Sequence, residues 1–330
     1  MRIYIDLENI KSLISLMYTN EDIFDEFKRY VKKSGVEVQY NFPWSKEYLN
    51  KNPYYQLWFQ KVGGLGGANP NFLFCPENKI FPSHSSDIEV KSNFLNIEIE
   101  EKERYNAIYM LNIEHNIAKE LKDKHSILIC TVGDECQVIE SLLSMENLSI
   151  TAEKLTSWDV FCPDIPLSDI VLCDEHYFKD KDVYDKDNHE LLRTICKSHR
   201  DPVNIVILTN NDMIHKDIDL DLEAGKIRDV VSGVTGVSKK KCNVTILTST
   251  KQTHSRHLIT NYYRMVHTYN YHLNDPKKKK DINSSIEPHI WNSYYETSKD
   301  LLEVFQRIAN KPDKCFFSGE KKSNFLNFSK

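Results

Sequence analysis

Two stretches far apart in the chain end a strand-like run on carboxylates. The first is Arg2-Ile3-Tyr4-Ile5-Asp6-Leu7-Glu8-Asn9-Ile10. Arg2 to Ile5 is β-branched and aromatic without a breaker, which predicts a strand. Apolar residues then recur at Ile10, Leu13, Ile14 and Met17, which predicts a helix. The second stretch runs from Ser126 to Leu143. Ile127 to Val132 is a continuous apolar run of strand length, the pattern of a strand buried on both faces of a parallel sheet. Gly133 breaks it, Asp134 and Glu135 follow, and Val138, Ile139, Leu142 and Leu143 take up helical spacing. A strand that hands over to a helix through an acid puts that acid at the carboxyl edge of the sheet, where open α/β folds bind ligands. An Asp there also commonly caps the helix, so Asp6 needs a partner, and Asp134 is the expected one. Converging carboxylates hold hard divalent cations such as Mg²⁺, and the ion then activates water and offsets charge on a phosphate. Without the ion the acids repel, and one is expected to keep a proton. Between the two stretches, Ala107 to Ala118 reads as a helix that carries Glu114 toward the same edge.

The pairing of YIDLENI with ILICTVGDECQVIESLL resembles the PIN-like nuclease fold, particularly its NYN branch, over roughly residues 1 to 155. Asp6 and Asn9 match the D-x-x-N signature, and Thr131, Gly133 and Asp134 match an S/T-G-D-x-D-like turn. The resemblance implies a Mg²⁺- or Mn²⁺-dependent ribonuclease site with Asp6 and Asp134 as metal-binding carboxylates. Glu135 or Glu114 would add to the shell or position the attacking water, and Asn9 would orient the phosphate or Asp6. The chain departs from the pattern at Cys136, which stands where the family usually has its second Asp, and an extra residue separates Thr131 from Gly133. Two readings follow. One is a metal-dependent nuclease acting on RNA or single-stranded nucleic acid; the other is an inactive relative that binds nucleic acid or protein within a larger complex.

At 330 residues the chain is long for one core, so two domains are expected. Charged residues make up 28% and hydrophobic ones 40%, which fits a soluble globular protein. A net charge of -5 excludes a wholesale basic coat but not a local basic groove. The eight cysteines form no C-x-x-C pair, which predicts a reducing, cytoplasmic setting without structural zinc. No apolar run approaches the ~20 residues of a membrane span, and Asp6 and Glu8 interrupt any signal-peptide core.

The expected fold is α/β in two domains. Residues 1–160 form a PIN/NYN-like parallel sheet with an insertion at 41–105. A βαβ unit opens it, with a helix break at Thr19-Asn20 and a second strand over Val36 to Tyr40. The insertion carries a Gly63–Gly67 loop and the aromatics Tyr54, Tyr55, Trp58 and Phe59, which read as core in preference to base-stacking residues. Leu148 to Ala152 reads as an edge strand of the first domain. Residues 161–315 form a second α/β domain with strands at Asp169–Cys173, Val203–Thr209, Val244–Thr248 and His254–Tyr263. Here VLCDEHYF and THSRHLITNYY resemble divergent phospholipase-D-like domains whose H-x-K has become His254-x-Arg256 (a Rossmannoid sheet is the alternative). With Asp174 and His176 near the earlier strand end and no second H-x-K, this implies phosphate binding or assembly. Arg256 would hold the phosphate in bidentate fashion. The run beginning Lys277-Lys278 would add a salt-sensitive contact. Ser298 to Ile308 reads as an amphipathic helix, and 316–330 as a flexible tail. The domain pairing suggests an accessory or defence protein, with a protein partner or self-association as further possibilities.

Overall fold

The apolar runs of the first half pair as a five-stranded, wholly parallel sheet. The computed structural model describes residues 1–32, 36–42, 45–63, 72–75, 80–99, 104, 107–143, 150–151, 157–161, 165–179, 190–197, 203–236, 238–250, 256–267, 285–290 and 295–328. The chain divides into two compact units, Met1–Leu143 and Ser144–Lys330. The division therefore comes before the expected boundary near 160.

In the first unit β1 (Arg2–Ile5) leads into α1 (Leu7–Thr19) and α2 (Glu21–Val31), with the helix break where Asn20 predicts it. Then come β2 (Glu37–Tyr40), α3 (Lys46–Lys51), α4 (Pro53–Trp58), β3 (Phe72–Phe74), α5 (Ile88–Ile97), β4 (Ala107–Leu111), α6 (His115–His125), β5 (Leu128–Thr131) and α7 (Glu135–Leu143). The sheet order is β3-β2-β1-β4-β5. The chain works outward from β1 on one side, then crosses to build the other, so the switch point lies between β1 and β4.

The sequence reading of Ala107 to Ala118 as one helix is corrected here. Ala107 to Leu111 is a strand with all five residues buried, and only from His115 is the chain helical. A strand lying between β1 and β5 buries both faces, so its residues are apolar without alternation, and such a run cannot be told from a buried helix by period. The insertion also contributes to the sheet, since β3 pairs with β2. Tyr55, Trp58 and Phe59 are core, with Trp58 Nε1 donating to Tyr40 OH at 2.8 Å, whereas Tyr54 is exposed.

The second unit holds an eight-stranded mixed sheet in the order β13-β9-β8-β7-β10-β11-β12-β6. Its centre is three parallel, fully buried strands, β7 (Asp169–Cys173), β8 (Val203–Thr209) and β9 (Cys242–Thr248). The other strands, β6 (Ile150–Thr151), β10 (Arg256–Thr260), β11 (Tyr263–His267), β12 (Ser285–Ile290) and β13 (Lys314–Ser318), pair antiparallel. Ile150–Thr151 pairs with β12, so it is not the first domain's edge strand. The expected single strand to Tyr263 is a hairpin, broken where Thr260 Oγ1 accepts the N–H groups of Tyr262 and Tyr263. Two helices stand out, α8 (Leu220–Thr235) and α9 (Tyr295–Asn310), the latter the expected amphipathic one.

The expected flexible tail is ordered to residue 328. Lys314 to Ser318 is an edge strand on β9, and Leu326 is buried in a cluster with Val206, Leu208, Phe305 and Ile308. Its polar composition concealed these apolar anchors. The tail also repeats a hexapeptide: Lys91 to Asn96 and Lys322 to Asn327 are both Lys-Ser-Asn-Phe-Leu-Asn. The first copy lies in α5 and the second is irregular chain. No helix among the described residues is long and apolar enough to cross a membrane.

One buried base makes the first unit acid-sensitive. His125 is 5% exposed, with Nε2 3.1 Å from Ser92 Oγ. Burial, followed by the charges of Arg104 and Lys124, draws its pKa down to about 4. The unfolded chain therefore takes up this proton first, and stability is lost as pH falls from about 6.5 toward 4. Urea titrations at pH 7.5 and 4.5 should show wild type losing about 2–3 kcal/mol more than His125→Gln over that interval.

Candidate functional site at the carboxyl edge of the first sheet

Asp6 follows β1 directly, and its N–H donates to Met110 O of β4 at 2.9 Å, which places it at the switch point. Asn41 follows β2, and Asn112 follows β4. The side chain of Asp6 turns inward and is 7% exposed. Its Oδ1 accepts Asn41 Nδ2 at 2.6 Å; its Oδ2 accepts Ser83 Oγ at 2.6 Å and the Asn112 N–H at 2.7 Å. Burial pushes the Asp6 carboxyl above its usual range, while the bonds from Ser83, Asn112 and Asn41 and the charge of His84 pull it back. Removing a carboxylate from water is tolerated only when donors replace the water, and the three donors do this.

The loop that brings Ser83 is itself pinned. Asn41 Oδ1 accepts the Phe81 N–H at 2.6 Å, and Asn41 Nδ2 reaches Phe81 O at 3.2 Å. Lys91 on α5 is fully buried and donates to Pro82 O at 2.8 Å, to Ser83 O at 3.3 Å and to Ser85 O. Burial lowers the lysine's proton affinity, and Asp6 and Asp87 oppose that shift. Asn41, Ser83, Lys91 and Asn112 were missed in the sequence reading. Asn41 and Asn112 carry the same signal as Asp6, a polar residue just after an apolar strand. Lys91 shares the inward face of its helix with Leu95, where a charge is costly unless it has partners.

A cavity of about 680 Å³ opens over this edge. Asp6, Glu8, Asn41, Phe42, Asn52, His84 and Asn112 line it, with Glu47 and Lys51 among the other residues of its wall. Glu8 is paired with Lys11 at 2.6 Å, and Glu47 with Lys51.

The other predicted residues are held in separate sets. Glu135 is 1% exposed; its Oε1 accepts Asn9 Nδ2 at 2.9 Å, and its Oε2 accepts Ser12 Oγ at 2.8 Å and the Gly133 N–H at 2.7 Å. Asn9 thus ties α1 to the start of α7, and its amide nitrogen is bonded to Glu135. Asp134 accepts Thr131 Oγ1 at 2.5 Å and lies 3.4 Å from His115 Nδ1. Gly133 makes this turn possible, because its φ of +99° is a left-handed conformation that suits glycine. Glu114 is the exposed N-cap of α6 and makes no side-chain capping bond.

These sets do not fit one ion shared by Asp6 and Asp134. Both Asp6 oxygens already accept donors, Asp134 is engaged by Thr131 and His115, and Glu135 is engaged on both oxygens. Among the described residues no group of three or more His, Cys, Asp or Glu gathers to hold a metal.

In the second unit Arg256 begins β10 with its side chain 12% exposed. Its Nε donates to Asp174 Oδ1 at 3.2 Å, and its Nη2 lies 3.9 Å from Glu175 Oε1. The guanidinium expected to hold a phosphate is therefore turned onto the buried acids that follow β7. His254, Lys277 and Lys278 lie outside the described residues.

No protein-family model matches the chain, and no curated protein matches it. Among solved structures, the chain is similar to TrmBL2, an archaeal chromatin protein whose structure shows a novel mode of DNA binding. The TM-score is 0.24 at 12% identity, over 51% of this chain and 49% of that one. The chain thus spans about half that structure's length, and a TM-score this low shows no shared fold.

Two substitutions test the site's construction. Asp6→Ala leaves Asn41 Nδ2, Ser83 Oγ and the Asn112 N–H without their acceptor, and should lower unfolding stability by about 3 kcal/mol or more. Gly133→Ala should cost only about 1–2 kcal/mol, since a Cβ there meets nothing within 4 Å and the penalty is the backbone's alone. Denaturant titrations of both variants in parallel give the comparison, and equal losses would contradict this account.

Proposed function

We propose that the chain is a nucleic-acid-binding protein that uses a PIN/NYN-like frame to hold a single-stranded segment, RNA foremost, without cutting it. The observation that carries this reading is the composition of the switch-point edge. Three neighbouring strand ends hold one carboxylate and two amides, Asn41, Asp6 and Asn112, and the carboxylate is already bonded to three donors. Such an edge has little negative charge to spend on a cation. The cavity beside it is of ligand size and has the parts a nucleotide calls for. The half-buried ring of Phe42 offers a stacking face, the amides of Asn52 and Asn112 offer hydrogen bonds to a base edge, and Asp6 or Glu8 can accept from a ribose hydroxyl, as acids at such edges do. The pairing of Glu8 with Lys11 and of Glu47 with Lys51 lessens repulsion of the phosphates. The 2′-hydroxyl favours RNA over DNA at such an acceptor.

In this reading the second unit is a phospholipase-D-like or Rossmannoid sheet that serves assembly, because Arg256 is committed to Asp174. The expected cytoplasmic setting goes with it. The rival reading is a Mg²⁺- or Mn²⁺-dependent endoribonuclease. It is favoured by one observation, that burial raises the proton affinity of Asp6 as expected for an acid that lacks a cation.

Fluorescence anisotropy with labelled single-stranded RNA and DNA, in Mn²⁺ and in EDTA, separates the two. Binding should persist in EDTA, the RNA should stay intact in Mn²⁺, and Phe42→Leu should weaken binding about tenfold by removing a stacking face. Mn²⁺-dependent cleavage that disappears in Asp6→Asn would instead establish the enzyme.

A further inference from the structure

The amino edge of the second unit's parallel core carries a polar row. Asp169, Asn204 and Asn243 stand on β7, β8 and β9 in direct register, Asp169 opposite Asn204 and Asn204 opposite Asn243. They are joined side to side: Asn204 Nδ2 donates to Asp169 Oδ2 at 3.1 Å, and Asn243 Nδ2 donates to Asn204 Oδ1 at 3.0 Å. Their neighbours on these strands are almost all apolar, so a buried row of this kind needs a reason.

Residues 320–328 supply it. The Glu320 N–H donates to Asn243 Oδ1 at 2.9 Å. Asn324 then clamps Asp169 twice, through its N–H to Oδ1 and through Nδ2 to Oδ2, both at 2.7 Å. Ser323 Oγ accepts the N–H groups of Phe325 and Leu326, which turns the chain so that Leu326 enters the core. Asn327 exchanges two bonds with the Gln306 amide of α9, at 2.6 and 2.9 Å. Gly319 is the pivot. Its φ is +91°, and a Cβ there would come 2.6 Å from Asn243 Oδ1 and 2.9 Å from Cys242 O. The segment is thus attached to the row and to α9 mainly by side chains, with a glycine hinge at its root.

We propose that residues 320–328 are a releasable strap whose docking is governed by the charge on Asp169. An asparagine would serve the row as well as its neighbours do; an aspartate makes the contact depend on a proton. The groups facing Asp169 are the neutral Asn204 of β8 and Ser323 and Asn324 of the strap, with Lys322 the charged neighbour. Burial under the strap pushes its pKa up to about 7, against the pull of Asn324, Asn204, Ser323 and Lys322. With the strap lifted the carboxyl meets water and returns toward the ordinary value near 4. The docked state therefore holds the proton more tightly. Docking is firm below pH 7 and weakens as pH rises through it. Release would expose the apolar surface beneath Leu326.

Hydrogen exchange on the full-length chain at pH 6 and 8, corrected for intrinsic rates, tests this. The amides of Glu320, Asn324 and Leu326 should lose about tenfold in protection between the two pH values, one proton's worth. The β8 amides should not change. Asp169→Asn should abolish the pH dependence, and Asn324→Ala should loosen the strap at both pH values while β8 stays protected. Strap protection that is independent of pH, or the same pH response in Asp169→Asn, would overturn the proposal. So would loss of β8 protection in Asn324→Ala, which would make the strap part of the fold.

Discussion

A carboxylate taken out of water at the end of a strand must find donors, and both units are arranged around that requirement. Parallel strands produce it repeatedly, because each ends in a polar residue where the chain leaves an apolar sheet. Asp6 is answered by Asn41, Ser83 and the Asn112 N–H. Glu135 is answered by Asn9, Ser12 and the Gly133 N–H. Each set draws on elements distant in sequence, so the polar contacts fix the approach of loops and helices that apolar packing alone would leave adjustable. Asp174 shows the cost of an incomplete answer: Oδ1 has Arg256 and the His176 N–H, whereas Oδ2 is buried without a hydrogen-bond partner.

This requirement explains what could be read from sequence. Strands β1, β5, β7, β8 and β9 were legible because apolar runs bounded by acids or glycine have few alternatives. The position of Asp6 at a sheet edge was legible for the same reason. Its partners were not, since Asn41, Ser83 and Asn112 reach it from three separate loops, and no local pattern announces that they converge. The strand Ala107–Leu111 was taken for a helix because burial on both faces erases the alternation that distinguishes the two.

The repeated hexapeptide makes the limit concrete. In α5, Lys91 is buried as a clamp on carbonyls and Ser92 meets His125. In the tail, the serine of the same six residues caps a turn and the asparagine grips Asp169. Leu95 and Leu326 are both buried. The leucine behaves alike in both places because burial needs only an apolar neighbour. The polar residues behave differently because hydrogen bonds need particular partners, which tertiary structure supplies. The ordered tail was misread for this reason: composition registers the lysines and asparagines but not the Asp169–Asn204–Asn243 row that receives them.

The difference between holding and cutting a phosphodiester comes down to what Asp6 must give up. A carboxylate offers about four lone-pair directions. Oδ2 spends both of its own on Ser83 and Asn112, at 2.6 and 2.7 Å, and Oδ1 spends one on Asn41 at 2.6 Å. A divalent ion at about 2.1 Å, with its tightly held waters, has to displace part of that set and loosen the loop that Lys91 pins. A ribose hydroxyl asks only for the remaining direction on Oδ1 and leaves every existing bond in place. Between a cation that must dismantle the edge and a neutral donor that completes it, the hydrogen-bond geometry favours the donor.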